Sequence, residues 1–388
     1  MSGSREKGKI YSGFEQGPIR PPSEAHSLLL RITRNCPWNR CTFCPVYKGT
    51  TFSLRPVDHV IRDIDDISRH IAAFRKMGNQ GGQISREDLN NYNTKLDVSE
   101  RPAFHAAVNW FACGMQSIFL QDANSLIIKS KDLIEILQHL IKCFPWVDRI
   151  TSYARSHTIA HISDEDLKAF ALAGLNRIHI GLESGADEVL KFVKKGVDKK
   201  THIKAGQKVK KSGIELSEYV MPGLGGKGLS ETHALESADA LNQINPDFIR
   251  LRTLAIPNSV ELYNEYASGR FEKLTDVETA KELLLFLKNL EGITSVIKSD
   301  HILNLFEEVE GKLPEDKERI CSVVRKFLDM DPHQRMLYQV GRRMGLFSRL
   351  GDLKNFQLSD RAEEACRQYG IDPENVDSVI DELMKRFI

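Results

Sequence analysis

From residue 27 to about residue 256 the chain alternates short apolar runs with helical segments, a rhythm that restricts it to a mainly parallel sheet covered by helices. Each apolar run is short for a helix and ends in polar residues, as a strand buried on both faces does. Six runs are read as strands: 27–33, 117–121, 149–153, 177–181, 215–221 and 248–254. After the first, Pro56 opens a helix in which Val57, Val60, Ile61, Ile64, Ile67, Ile71 and Phe74 recur at three- and four-residue steps, a stripe suited to packing on a sheet. Further helices begin near Lys131, Asp164, Asp187 and Ser230. A polar stretch at about 78–102, with Gly78, Gly81 and Gly82, has no clear period and is expected to be an insertion.

Beyond Ile256 the rhythm changes to helix after helix, interrupted by one strand-like run at 294–297. The last helix is expected to use Asp372 as cap and Pro373 as first residue, with Val376, Val379, Ile380, Leu383, Met384 and Phe387 on one face. Residues 1–26, rich in Gly, Ser, Arg and Pro, are read as a polar tail, 27–256 as the α/β domain and 257–388 as a mainly helical region. With 54 basic and 53 acidic side chains the net charge is +1, which argues against a polyanionic partner and makes nucleic acid an unlikely one. No apolar stretch approaches the ~18 residues of a membrane span, and the first 27 residues lack the apolar core of a signal peptide. A cytoplasmic protein with no membrane partner is expected.

Three of the seven cysteines, Cys36, Cys41 and Cys44, crowd into one loop directly after the first strand. In a reducing compartment such a cluster points to metal rather than disulfide. Three soft thiolates suit one face of a four-iron cluster and leave one iron open to a substrate. The alternatives are a structural zinc site, with His59 as fourth ligand, and cysteines that merely fill a core.

The loop resembles that of the radical S-adenosylmethionine (SAM) enzymes, which carry C-x3-C-x2-C after strand one with an aromatic residue before the third cysteine. Cys41-Thr42-Phe43-Cys44 fits the second half, but four residues rather than three separate Cys36 from Cys41. The resemblance covers about residues 27–256 and implies an α/β fold, a partial (β/α)6 TIM-like barrel with a helical C-terminal extension. It implies a [4Fe-4S] cluster held by Cys36, Cys41 and Cys44, SAM as second cofactor, and a flavodoxin or ferredoxin as electron donor.

Ligands in such sheets lie at the carboxyl ends of the strands. Strand four ends in Gly181-Leu182-Glu183-Ser184-Gly185, similar to the turn that the family places beside SAM; Glu183 and Ser184 either hydrogen-bond the cofactor or Glu183 caps the next helix. Tyr153 and Arg155 close strand three, and Arg155 either pairs with the SAM carboxylate or lies on the surface. Strand two ends in Asp122-Ala123-Asn124 where the family often has Gly-Gly-Glu, so Asp122 receives the SAM amine or, with Asn124, faces the substrate. Strand five ends in Met221-Pro222-Gly223, within a G-x-G-x-x-G that follows the wrong strand for a dinucleotide fingerprint; the resemblance instead brings Met221 and Gly223, like Phe43, to SAM. Arg250 and Arg252 share a face of strand six and offer two cations to a substrate, and His301, next to Asp300, either lines the substrate mouth or belongs to a surface loop.

The function implied is reductive cleavage of SAM to a 5′-deoxyadenosyl radical that takes a hydrogen atom from a small-molecule or peptide substrate. Segments four and five look most like those of the coproporphyrinogen-oxidase-like and elongator-like members. Two rivals stand beside it: cleavage to a 3-amino-3-carboxypropyl radical or group transfer, motivated by the altered cysteine spacing, and a non-catalytic iron-sulfur or zinc protein with a helical partner-binding region.

Overall fold

The computed structural model describes residues 10–81 and 84–385; Gly82 and Phe387 lie outside them. The expected first strand divides into β1 (Leu28–Arg31) and β2 (Thr33–Arg34), and β2 pairs antiparallel with β3 (Ser53–Leu54), which closes residues 35–52 into a loop. Helix α1 (Val57–Gly81) buries Val60, Ile64, Ile67, Ile71 and Phe74, as the stripe requires. It also runs through Gly78, where a turn was expected. A glycine costs a helix only about 1 kcal/mol, less than the burial of one large side chain in this stripe. The expected insertion contains α2 (Arg86–Asn93), opened by a capping box between Ser85 and Asp88, whose Tyr92 packs its ring on His70, Phe74 and Phe104. Phe104 belongs to α3 (Arg101–Ala112), and Trp110 on that helix donates to the Ser117 carbonyl at 2.9 Å.

The chain then continues through β4 (Ser117–Gln121), α4 (Ser130–Cys143), β5 (Arg149–Ala154), α5 (Ser156–His161), α6 (Asp164–Leu172), β6 (Arg177–Glu183), α7 (Asp187–Phe192), α8 (Lys199–Lys211), β7 (Glu215–Val220), α9 (Gly226–Ile244) and β8 (Phe248–Leu251). After α10 (Leu262–Ala267) and α11 (Asp276–Lys288), the strand-like run becomes β9 (Val296–Lys298), which joins β8 in parallel. The short β10 (Gly311–Lys312) lies antiparallel to it, and α12 (Lys317–Leu328), α13 (Pro332–Arg343), α14 (Phe356–Tyr369) and α15 (Val376–Met384) complete the chain. The sheet order is β1-β4-β5-β6-β7-β8-β9-β10, an open and mostly parallel α/β sheet of the partial TIM-barrel kind. The expected strand-like run thus joins the sheet as β9, and β10 is a further strand that the sequence pattern did not show.

Two compact units divide the chain: 1–39, 46–179 and 211–215 form one, and 40–45, 180–210 and 216–388 the other. In the first, residues 10–26 are no loose tail. Phe14 and Glu24 are buried, and the Gln121 side chain holds Gly17 and Ile19 through their backbones. In the second, β8 and β9 share one apolar core with α9, α11, α12, α13, α14 and α15. The last helix starts later than expected: Asp372 accepts the amides of Glu374 and Asn375 in a preceding turn, so Pro373 sits before the helix and Val376 begins it.

Candidate active site

Asp122 organises the approach to the cysteine loop. It is fully buried; Oδ2 accepts from Arg31 Nε at 2.7 Å and from the Asn35 amide at 3.0 Å, and Oδ1 accepts from the Tyr47 hydroxyl at 3.0 Å. This carboxylate, expected to receive the SAM amine or to face the substrate, accepts three donors that fix the two flanks of the cysteine segment. Glu15 adds a second tie, meeting Arg31, Arg34 and Arg55. The three guanidinium groups draw its carboxyl below the usual range against the opposing pull of burial.

Within the loop, Asn39 shapes the four-residue spacer between Cys36 and Cys41. Its backbone is left-handed at φ 44°, its side chain donates to the Tyr47 carbonyl at 2.5 Å, and its amide donates to Cys36 Sγ at 3.4 Å. The spacer thus contains a defined turn that places an N–H on the first sulfur. Trp38 lies beneath the Arg155 guanidinium, 5.1 Å from the ring centroid. Asn124 is fully buried and joins the Arg155 amide to the Thr158 hydroxyl, so its role is to hold the end of β5 rather than to face a substrate. Tyr153 is half-buried, with its ring against Phe119 and His179.

In the second unit, Cys41 and Cys44 pack against an apolar cluster that includes Phe43, Val193, Met221 and Leu254. Thr42 anchors the turn through its amide to the Val193 carbonyl and its carbonyl to the Leu262 amide. Lys195 stands 5.9 Å from the Phe43 ring and pairs with Glu183 at 3.0 Å. Glu183 has φ 63°, and its carbonyl accepts the Met221 amide, so the end of β6 is held to the Met221 turn through its backbone. Gly223 needs its φ of 89°, which other residues rarely adopt.

Beneath this turn lies a buried network that the sequence reading missed. Ser184 Oγ meets His233 Nδ1 at 2.8 Å and accepts the Ala186 amide at 3.0 Å. His233 Nε2 donates to the Met221 carbonyl at 3.1 Å, and Glu282 accepts the Gly223 amide at 2.7 Å and the Ser230 hydroxyl at 2.6 Å. Ser184, a proposed SAM contact, thus spends its hydroxyl inside the protein. Glu218 on β7 is also fully buried, and among the described residues no well-formed hydrogen bond reaches either carboxyl oxygen. Burial pushes its carboxyl well above the usual range, with Lys195 the main opposing charge. No local motif announces these contacts, since His233 and Glu282 lie 49 residues apart in sequence.

Arg250, expected as a free cation, is buried and pairs with Asp300 at 2.7 Å while donating to Ser217. Arg252 is half-buried and electrostatically coupled to His301. Burial, helped by Arg252, lowers the His301 pKa to about 4, and its Nδ1 accepts the Leu303 amide at 3.2 Å. The imidazole is neutral at physiological pH.

All seven cysteines are free of disulfides. Cys41 and Cys44, half-buried with apolar backing, and Cys36, half-buried with an N–H on its sulfur, are thiols whose donor chemistry suits an iron-sulfur cluster better than a closed four-ligand zinc site. His59, the candidate fourth zinc ligand, is buried with its ring edge-on to Tyr11.

The profile of the Radical SAM superfamily matches residues 106–238. A tRNA uridine(34) acetyltransferase of Methanocaldococcus jannaschii is 21% identical over 302 residues, 74% of this chain and 52% of that protein. Among solved structures, archaeal Elp3 of Methanocaldococcus infernus with an N-terminal deletion aligns at a TM-score of 0.40 and 16% identity, covering 55% of this chain and 53% of its own. Coproporphyrinogen III oxidase (HemN) from Escherichia coli aligns at 0.40 and 13%, covering 64% and 50%. The chain spans about half or less of the length of the curated relatives that it matches first. Residues 106–238 therefore resemble the radical SAM superfamily, over about a third of the chain. Among the described residues no helix is long and apolar enough to cross a membrane.

Proposed function

We propose that the chain cleaves SAM reductively and removes a hydrogen atom from its substrate, with Cys36, Cys41 and Cys44 as the cluster ligands. The observation that carries this reading is the three-thiol loop, pinned at its flanks by Asp122, in a chain matched by the superfamily profile. When bound, the cluster and SAM supply the electron and the 5′-deoxyadenosyl radical. The protein's share is placement. Phe43 backs the cysteine turn, Met221 and Gly223 present backbone to the cofactor from a turn braced by His233 and Glu282, and Glu183, Tyr153 and Arg155 offer side-chain contacts. An external flavodoxin or ferredoxin supplies the electron. Arg252 and His301 offer a cation and a neutral imidazole to the substrate, and Arg250, neutralised by Asp300, positions Asp300 beside them.

The test is anaerobic: reconstitute the cluster, reduce, add SAM and identify the nucleoside by mass spectrometry. Deoxyadenosine with about four irons per chain supports the reading. Methylthioadenosine favours 3-amino-3-carboxypropyl chemistry, and absence of turnover with bound zinc favours the non-catalytic rival. Cys36→Ala, Cys41→Ala and Cys44→Ala are each expected to abolish cleavage, and Cys321→Ala to leave it intact.

For the substrate, a small molecule or peptide has an RNA competitor that a specific observation favours. Lys200, Lys204 and Lys208 recur every fourth residue along α8, which forms one basic stripe suited to a phosphate backbone. A net charge of +1 averages over the whole chain and conceals such a face. The Methanocaldococcus jannaschii relative is a tRNA-modifying enzyme. RNA binding that weakens steeply with salt and with Lys200→Glu and Lys204→Glu supports this substrate; binding indifferent to both removes it.

A further inference from the structure

On the outer layer of the first unit, α1 and α4 bring together Asp65, His139 and Cys143, one ligand atom from each lying within 4.8 Å of the others. His139 and Cys143 are four residues apart on α4 and so share a face, and Asp65 reaches them from α1. His139 Nε2 is the common vertex, 2.7 Å from Asp65 Oδ1 and 3.5 Å from Cys143 Sγ.

These separations can be compared with the edges of a metal tetrahedron. Bonds of about 2.0 Å to nitrogen and about 2.3 Å to sulfur place the two ligand atoms about 3.5 Å apart, so the Nε2–Sγ edge is already formed. The corresponding nitrogen–oxygen edge is about 3.3 Å, and the observed 2.7 Å is that of a hydrogen bond. A cation entering between the two displaces the proton they share and widens the pair by about 0.6 Å. Asp65, with 57% of its side chain exposed, can make that adjustment. Ser68, one turn along α1, lines the same groove as Cys143. This surface groove, lined also by Ile71, Ala72, Arg75 and Trp146, opens beside the sulfur.

We propose that Asp65, His139 and Cys143 bind a zinc ion, with solvent in the fourth position. The mixed oxygen, nitrogen and sulfur set is one that borderline-soft Zn²⁺ accepts, and that Mg²⁺ or Ca²⁺, which take oxygen, does not. The ion clips α1 to α4 and is separate from the cysteine loop in both residues and chemistry.

The experiment uses the full chain with its iron-sulfur cluster loaded. Weakly held metal is removed with a chelator, one equivalent of zinc chloride is added, and zinc and iron are counted by elemental mass spectrometry. Zinc-edge X-ray absorption then reads the ligand shell without interference from iron. The expected result is about one zinc per chain with a single sulfur at about 2.3 Å and lighter atoms at about 2.0 Å. His139→Ala and Cys143→Ala each lower zinc affinity at least about 100-fold, given that outer contacts alone are worth 10–100-fold, and leave iron content unchanged. A shell of several sulfurs, which is zinc in the cysteine loop, overturns the proposal. So does failure to retain zinc, or retention equal in both variants and the unaltered chain.

Discussion

The Asp122 carboxylate accepts the backbone N–H of Asn35, the residue directly ahead of Cys36, at 3.0 Å. One buried acid at the end of β4 thereby sets where the cysteine loop leaves the sheet, and the same acid holds Tyr47 beyond the third cysteine.

Asp122→Ala is expected to destabilise the chain by about 3 kcal/mol, because it leaves the Arg31 guanidinium largely buried without this partner. It should also lower the iron retained after reconstitution. Denaturant unfolding and iron analysis check both effects; full iron content would show that the loop does not depend on this tie.

His233→Ala removes the brace under the Met221 turn and leaves the Ser184 hydroxyl and the Met221 carbonyl short of a partner. The expected outcome is a loss of about 1–3 kcal/mol and weaker SAM binding with iron content preserved. Calorimetric titration of SAM into the cluster-loaded protein reads this directly, and unchanged affinity would separate the network from the cofactor.

For His301 the folded pKa of about 4 lies below the ordinary 6.5. Between these values the unfolded chain binds the proton and the folded chain does not, so stability falls as pH drops from about 6.5 to about 4. His301→Gln should flatten roughly 1–2 kcal/mol of that decline, as measured by unfolding at a series of pH values. Parallel curves for both proteins would place the titration elsewhere.

Glu218 behaves in the opposite sense. Its raised folded pKa keeps the proton on when the unfolded carboxyl has lost it, so this residue costs stability increasingly as pH rises above about 4.5. Glu218→Gln is expected to be more stable than the parent at pH 8, by at least about 1 kcal/mol, and close to it near pH 4. A variant less stable at pH 8 would mean that the ionised carboxylate is needed in the fold.

The parallel strands were legible because burial on both faces writes a continuous apolar run, as at 117–121, where all five residues are buried. Helix α1 was legible in its stripe but not in its length, since Gly78 reads as a turn until the packing around Phe74 is known. The cysteine loop was visible as a motif. What the sequence concealed were partners distant along the chain: Asp122 and Asn35, Ser184 and His233, Gly223 and Glu282. A polar residue at a strand end looks the same whether it faces a ligand or an internal donor, and for Asp122, Asn124 and Ser184 the internal donors hold it.

The position of Glu15 bears on how this sheet can be exchanged between proteins. A graft that began at the first strand would carry Arg31, Arg34 and Arg55 but discard the carboxylate they share. Arg31 and Arg55 would still meet Asp122 and Asp63, while the Arg34 ion pair would be lost. The inheritable module is therefore longer than its sheet, and it includes the segment that precedes β1.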